Sequence, residues 1–311
     1  MVKDRSVIQI WIIAYKTAQK AAIYGLADLF SMAEYACAAK QKIKVEIISD
    51  EALYSVGKEI PNVIILPPSL DKIPNRSDNQ NLLKFLLHYH EQGCILASIC
   101  AGTFILAETN LLNNREATTH WAYAEIFKYT FPNVIIKEDK ILIDDGDIIT
   151  AGGMMAWIDL GLRVVERFLD RSIMLRTTQF MLIDPPRKLQ SSYINFMPKY
   201  NHGDKAILKA QRWLLNTNLR KVTVKDLVNQ SGLEERTFLR RFKKSTKLTP
   251  KAYLQHFKIE RARNILASTN ASIDQISWEI GYADTSSFRK NFTKITSLTP
   301  REYRRKYGIK T

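Results

Sequence analysis

The chain of 311 residues lacks the features of a membrane protein or a disulfide scaffold. Its longest apolar runs, Val7–Ala14 and residues 62–68, fall far short of the roughly 20 residues that span a bilayer, so no membrane partner is expected. Residues Met1 to Arg5 lead into a strand-like pattern and carry no signal-peptide cleavage site. Cysteine is scarce. Cys37, Cys94 and Cys100 have neither an even count nor metal-ligand spacing, which argues against a disulfide framework and a zinc site. A reducing, cytoplasmic setting is the expectation, with no metal and no cofactor. The remainder is ordinary for globular protein, 46% apolar and 25% charged, and long enough for two domains.

Acidic residues are also sparse at one end. Residues 1–204 hold 22 Lys and Arg against 23 Asp and Glu, whereas residues 205–311 hold 24 against 8. The whole excess of the +15 net charge therefore sits in the last third. A neutral domain joined to a strongly basic one suggests that only the second meets a polyanion, although charge alone fits a solvated lysine-rich surface equally well.

Internal repetition decides between those readings. Val224-Lys225-Asp226-Leu227 aligns with Ile273-Asp274-Gln275-Ile276, and Gly232-Leu233 with Gly281-Tyr282. After a one-residue insertion, Phe238 pairs with Phe288, Phe242 with Phe292, Leu248-Thr249-Pro250 with Leu298-Thr299-Pro300, and Tyr253 with Tyr303. Each copy reads as helix, tight turn, helix. The paired phenylalanines at i, i+4 fix the buried face of the second helix. In the first copy that leaves Arg236, Arg240 and Lys243 pointing outward beside Thr237. In the second it leaves Ser286, Lys290 and Thr293 outward, flanked by Arg289 and Ser287, with Asp284 or Thr285 as the cap. Basic and hydroxyl side chains on such a helix suit a major groove, where arginine chelates guanine O6/N7 and the others hold phosphates or base edges. A helix over 250–267 joins the copies, with Tyr253, Leu254, Phe257, Ala262, Ile265 and Leu266 as its apolar spine. Two reading helices in one chain suit successive major grooves, about 34 Å apart.

The run Gly281-Tyr282-Ala283-Asp284-Thr285-Ser286-Ser287-Phe288-Arg289-Lys290-Asn291-Phe292, followed by Leu298-Thr299-Pro300-Arg301-Glu302-Tyr303-Arg304, resembles the AraC/XylS signature. The resemblance covers about residues 205–308 and implies an all-α, seven-helix domain with two helix-turn-helix units that binds asymmetric promoter sites. One departure is Glu234, where the family commonly carries a Ser or Thr cap. An acid is favourable at a helix N-terminus, but Glu234 and Glu235 together repel nearby phosphates.

Residues 1–175 alternate between strand and helix patterns. Strands are expected at 7–14, 45–48, 63–66 and 94–99, and helices at 23–38, 82–90, 104–111 and 155–169. Such alternation points to an α/β domain with an open, mostly parallel sheet and ligands at the strand carboxyl ends. The site-like stretch is Ala97-Ser98-Ile99-Cys100-Ala101-Gly102-Thr103, where a buried strand turns sharply into a helix. A thiol placed there lies over a helix N-terminus, the geometry of nucleophilic cysteines. A hydrolase also needs a base against the sulfur; residue 101 is Ala, and His120 is the distant candidate. The plainer reading of Cys100 is a buried, inert small hydrophobe; His120 reads equally as a hydrogen-bonded structural residue, and Trp121 rather as core than as part of a cation cage.

This half resembles the ThiJ/PfpI family, whose flavodoxin-like fold is related to class I glutamine amidotransferases, and in particular the non-enzymatic form fused to AraC domains in GlxA-type regulators. The matching stretches are Gly25-Leu26-Ala27-Asp28-Leu29-Phe30, Cys100 to Glu108, Ala117-Thr118-Thr119-His120-Trp121, and Ile149 through Asp159. Enzymatic relatives carry a glutamate after the first strand and often a histidine after the cysteine. Here Lys20-Ala21-Ala22-Ile23-Tyr24 has no acid, residue 101 is Ala, and Pro67-Pro68-Ser69 replaces a Gly-Gly turn. The resemblance therefore implies no catalytic residues, and an old active-site crevice serving as an effector pocket, with Cys100, His120, Asp28 and Trp121 as ligand-binding candidates. The expected organisation is an effector and dimerisation domain over 1–184, a linker over 185–204 tethered through Tyr193 and Phe196, and a DNA-binding domain over 205–311. The expected function is a sequence-specific transcription activator, a homodimer responding to a small-molecule effector at promoter DNA, with RNA polymerase as a further partner. The alternative is a cysteine-dependent hydrolase or glyoxalase whose basic domain localises it on DNA.

Overall fold

The computed structural model describes residues 7–37, 41–54, 59–71, 73–74 and 79–309. Met1 to Arg5, and the last residue of the helix expected over 23–38, lie outside them. The chain divides into two compact units, Met1–Gln190 and Ser191–Thr311.

In the first unit the elements are β1 (Val7–Ala14), α1 (Lys20–Ala36), β2 (Lys42–Ser49), β3 (Val63–Leu66), α2 (Gln80–Glu91), β4 (Ile95–Ile99), α3 (Gly102–Glu108), β5 (Glu116–Ala117), α4 (Ala124–Thr130), β6 (Ile135–Ile136), β7 (Leu142–Asp144), β8 (Ile148–Ala151), α5 (Trp157–Phe168) and α6 (Arg171–Met181). The main sheet runs in the order β2-β1-β3-β4-β8-β7, and β5 pairs with β6 apart from it. Every neighbour in the main sheet is parallel except β7, which closes one edge antiparallel to β8. The period of two along β1 explains why a nearly continuous apolar run, interrupted at Gln9, is needed. Ile8, Ile10 and Ile12 enter the core under α1 and α5, while Trp11 and Ile13 enter the opposite core under α2 and α3. This is the flavodoxin-like architecture expected, with the carboxyl ends of β1, β3, β4 and β8 on one rim.

The second unit is all helical: α7 (Lys205–Leu215), α8 (Val224–Ser231), α9 (Glu235–Thr246), α10 (Pro250–Ser268), α11 (Ile273–Glu279), α12 (Thr285–Thr296) and α13 (Pro300–Tyr307). It has a core for each repeat. Phe238, Phe242, Tyr253 and Leu254 build one with α7, and Ile259, Ala262, Phe288, Phe292 and Tyr303 build the other. The long helix α10 supplies residues to both cores, so it is the common spine. The proline-containing stretch 185–204 is not a free connection: residues to Gln190 pack within the first unit, and those from Ser191 within the second.

Candidate functional site

The outer faces of α9 and α12 are the candidate nucleic-acid side. Thr223 and Asp226 close a reciprocal capping box at the start of α8, and Gly232, at φ 72°, ends it in the left-handed region. The chain then re-enters a helix at Glu234, whose side chain makes no cap hydrogen bond. With Phe238 and Phe242 fully buried, Arg236, Arg240 and Lys243 are exposed and Thr237 is half-buried. Arg241 belongs elsewhere: its guanidinium binds Asp204 through two hydrogen bonds of 2.7 and 2.9 Å. The exposed Leu239, 100° round the helix from Phe238, also lies beside these cations. As an apolar residue it carries no polar signal that would mark it in the sequence.

The second repeat is tied down more firmly. Ser272 and Gln275 cap α11, and Asp284 caps α12 by accepting the Ser287 amide at 2.7 Å. Gly281, at φ 78°, turns between them where an added Cβ would stand 2.3 Å from the Leu219 carbonyl oxygen and 2.6 Å from that of Arg220. Lys258 of α10 donates to the Gly281 carbonyl at 3.0 Å. Ser286, Ser287, Arg289 and Lys290 are exposed on α12. Arg289 lies 4.0 Å from Asp274, a loose pair that leaves most of its donors available.

On the sheet rim, Cys100 follows β4 with φ 56°, the strained left-handed turn that its strand-to-helix position demands. Its amide donates to Ala151 O at 2.7 Å, and its carbonyl accepts the Thr119 hydroxyl at 2.7 Å. Gly102 lets α3 begin against β3, where a Cβ would meet the carbonyls of Leu66 and Pro67. Burial pushes the Cys100 thiol up to about 11, although backbone N–H groups of Ala101, Gly153 and His120 surround the sulfur and favour its anion. At neutral pH the group is a thiol. His120 accepts the Ala122 amide on Nδ1 at 3.1 Å, and burial lowers its pKa, so it is a neutral ring capping a short turn.

Trp121 is half-exposed beside the His120 ring instead of joining a core. Asp28 stands apart: with Leu26, Leu29, Phe30 and Ala33 facing inward, it is left on the exposed side of α1. It also lies eight residues past Lys20, about 12 Å along the helix. The structure thus gathers Cys100, His120 and Trp121 but not Asp28. The loop carrying them is held by a buried polar network that the sequence did not reveal. Gln190, 2% exposed, donates to Thr119 O at 2.9 Å and Lys140 O at 3.0 Å, and accepts the Trp121 amide at 3.2 Å. Thr150 accepts the Thr118 amide at 2.9 Å. Among the described residues no cluster of acidic, histidine or cysteine side chains is arranged to hold a metal ion, and no helix is long and apolar enough to cross a membrane.

Comparison with known proteins follows the same division. Residues 27–167 match the DJ-1/PfpI family, and residues 227–306 match a helix-turn-helix domain. The chain is 23% identical over 232 residues to the HTH-type transcriptional regulator CdhR of Pseudomonas aeruginosa, an alignment covering 74% of this chain and 69% of the relative. It is 24% identical over 220 residues to the HTH-type transcriptional regulator GlxA of Rhizobium meliloti, covering 70% and 67%. Among solved structures, DJ-1beta of Drosophila melanogaster superposes with a TM-score of 0.50 at 18% identity, over 57% of this chain and 99% of that one. The shared fold is therefore that of the first unit.

Proposed function

Because the chain belongs to the AraC-type transcription regulators with a DJ-1/PfpI-like amino-terminal domain, we propose that it is a sequence-specific, cytoplasmic activator that answers to a small metabolite bound over Cys100. The observation that carries this reading is the pair of helices α9 and α12, each with its phenylalanines buried and basic or hydroxyl side chains exposed on the outer face. Arg236, Thr237, Arg240 and Lys243 serve one groove, and Ser286, Ser287, Arg289 and Lys290 the next. Cys100, His120 and Trp121 line the effector site without turning anything over. The protein works as a homodimer through its first unit, which raises the effective concentration of the second DNA-binding unit, and it contacts RNA polymerase at the promoter.

Fluorescence anisotropy on DNA from the gene's own neighbourhood, against shuffled DNA and across a salt series, tests the proposal. The expected result is a preference of about 10³-fold or more for the native sequence. A steep salt slope with no preference would leave only affinity for polyanions.

One observation favours the rival reading, a cysteine hydrolase. Cys100 has the left-handed turn and the ring of N–H donors that such a nucleophile uses. Its protonated state and the engagement of His120 with Ala122 weigh against it. Turnover abolished by Cys100→Ser would restore the enzyme, whereas an unchanged DNA response would remove it.

A further inference from the structure

Gln190 and Ser191 are neighbours in the chain, yet each is fixed by a different unit. Gln190 is buried in the first unit, where both ends of its amide are used on the loop 118–121 and its own N–H donates to Asp139 O at 2.8 Å. That loop carries His120 and Trp121. The fit is close, since a Cβ on Gly152 would fall 2.5 Å from the Gln190 side-chain nitrogen.

From Ser191 onward the chain is held by Arg263 of α10, which is only 2% exposed although it carries a full charge. Its Nη2 donates to the carbonyls of Ser191 and Ser192 at 3.2 and 3.3 Å, and its Nη1 to that of Ile194 and, at 3.3 Å, to Glu260. Glu260 in turn accepts the Phe196 amide at 3.1 Å, and the Phe196 ring packs on Tyr253 and His256. Lys306 donates to the Tyr193 hydroxyl at 2.9 Å. A buried guanidinium satisfied largely by neutral carbonyls of an irregular segment has two stable conditions. Either the segment is docked, or the arginine is solvated. A half-released state would leave a buried charge without partners, which is costly. The Nε of Arg263 has no partner among the described residues, so the docked condition is not fully satisfied.

We infer that residues 190–196 form a transmission strap. Gln190 senses the loop over Cys100, and Arg263 converts a shift of the strap into a change on α10, the spine shared by both DNA-reading repeats. This inference rests on the proposed regulatory function and supplies the route by which a ligand in the crevice alters DNA binding. The link is the chain itself, with a discrete docked state that both grips bias.

The test uses the full-length protein and hydrogen exchange, with promoter-DNA affinity measured in parallel. Gln190→Leu removes the side-chain hydrogen bonds in the first unit alone. It is expected to lower protection of the 193–196 amides by about 10-fold and to shift DNA affinity by about 5-fold or more, the scale of ordinary allosteric coupling. A Gly-Ser-Gly-Ser insertion between Gln190 and Ser191 is expected to abolish both remote effects while the 118–121 loop remains loosened. Arg263→Lys keeps the charge but not the fork, and is expected to deprotect the strap while the phenylalanine cores stay protected. Unchanged strap protection in Gln190→Leu, with the loop itself deprotected, would overturn the inference, as would remote effects that survive the insertion. If the wild-type protein shows no sequence preference, the regulatory reading fails through the DNA measurement, and the exchange measurement still decides whether the strap couples.

Discussion

The two helix-turn-helix repeats share a pattern and differ in how it is enforced. The first ends α8 at Gly232, around which an added methyl would meet open space, and starts α9 at Glu234, whose carboxylate caps nothing. The second turns at Gly281 against the Leu219 and Arg220 carbonyls and starts α12 at Asp284, which accepts the Ser287 amide. The first exposes more cations on its outer face, and the second is the more closely held at its turn and cap. A repeat thus preserves the buried phenylalanines that make the fold, while the turn and cap vary with what each copy touches. Firm seating of α12 suits base readout, which demands fixed geometry. The cations of α9, beside Glu234 and Glu235, suit attachment to phosphates.

The largest effect is expected where the repeats are alike. Phe288→Ala should destabilise the second core by roughly 3–5 kcal/mol, and Phe238→Ala the first by a similar amount. Because each phenylalanine belongs to its own core, exchange protection should collapse in one repeat and persist in the other. Near-normal thermal stability of either variant would remove the assignment of that phenylalanine to a core.

Next comes the contrast between the glycines. Gly281→Ala meets backbone oxygens that cannot yield and a left-handed φ, so a loss of roughly 2–5 kcal/mol is expected. Gly232→Ala keeps only the left-handed penalty, about 1–2 kcal/mol. Equal losses in chemical denaturation would show that the carbonyl contact at Gly281 relaxes freely, and the distinction in rigidity would fall.

A DNA measurement sharpens the division of labour. Lys290→Ala on α12 and Arg240→Ala on α9 are each expected to cost about 1–3 kcal/mol if the side chain reads a base. Loss confined to the native sequence marks base readout; uniform loss on all sequences, with a salt slope reduced by about one, marks a phosphate contact. Base readout by α12 gives the first pattern for Lys290, and phosphate attachment by α9 gives the second for Arg240. Reversed patterns would exchange the roles.

Much of this was legible in the sequence because the repeats are local. Phe238 and Phe242, one turn apart, fix the orientation of Arg236 and Arg240 without reference to any distant residue. The parallel sheet was legible for the same reason, since β1 is a nearly continuous and β3 a continuous apolar run. The amino-terminal site was less so. Asp28 sits in a matching stretch, yet the inward set Leu26, Leu29, Phe30 turns it outward. Gln190 and Arg263 were invisible because their partners lie about 70 residues away, from Thr119 to Gln190 and from Ser191 to Arg263. A buried glutamine or arginine in a polar stretch has no periodic signature.

The smallest expected effect concerns the cap. Glu234→Asp shortens the side chain to the length that Asp284 uses, and is expected to stabilise the first repeat by about 0.5–1 kcal/mol. The gain should depend on pH in a defined direction. Hydrogen bonding from the Ser287 backbone holds the Asp284 carboxyl below its usual range, so its cap stabilises the fold above the unfolded carboxyl pKa and fades as pH falls through the folded value. The same acid dependence should be gained at the start of α9 in the E234D variant, over and above that of the Asp226 cap and the Asp204–Arg241 pair, which wild type shares. Exchange protection at the start of α9, followed from pH 6 down to pH 3, reads it directly. A pH-independent gain would mean that the shorter side chain acts through helix propensity or relief of local repulsion, and the two repeats would then differ in charge placement more than in capping.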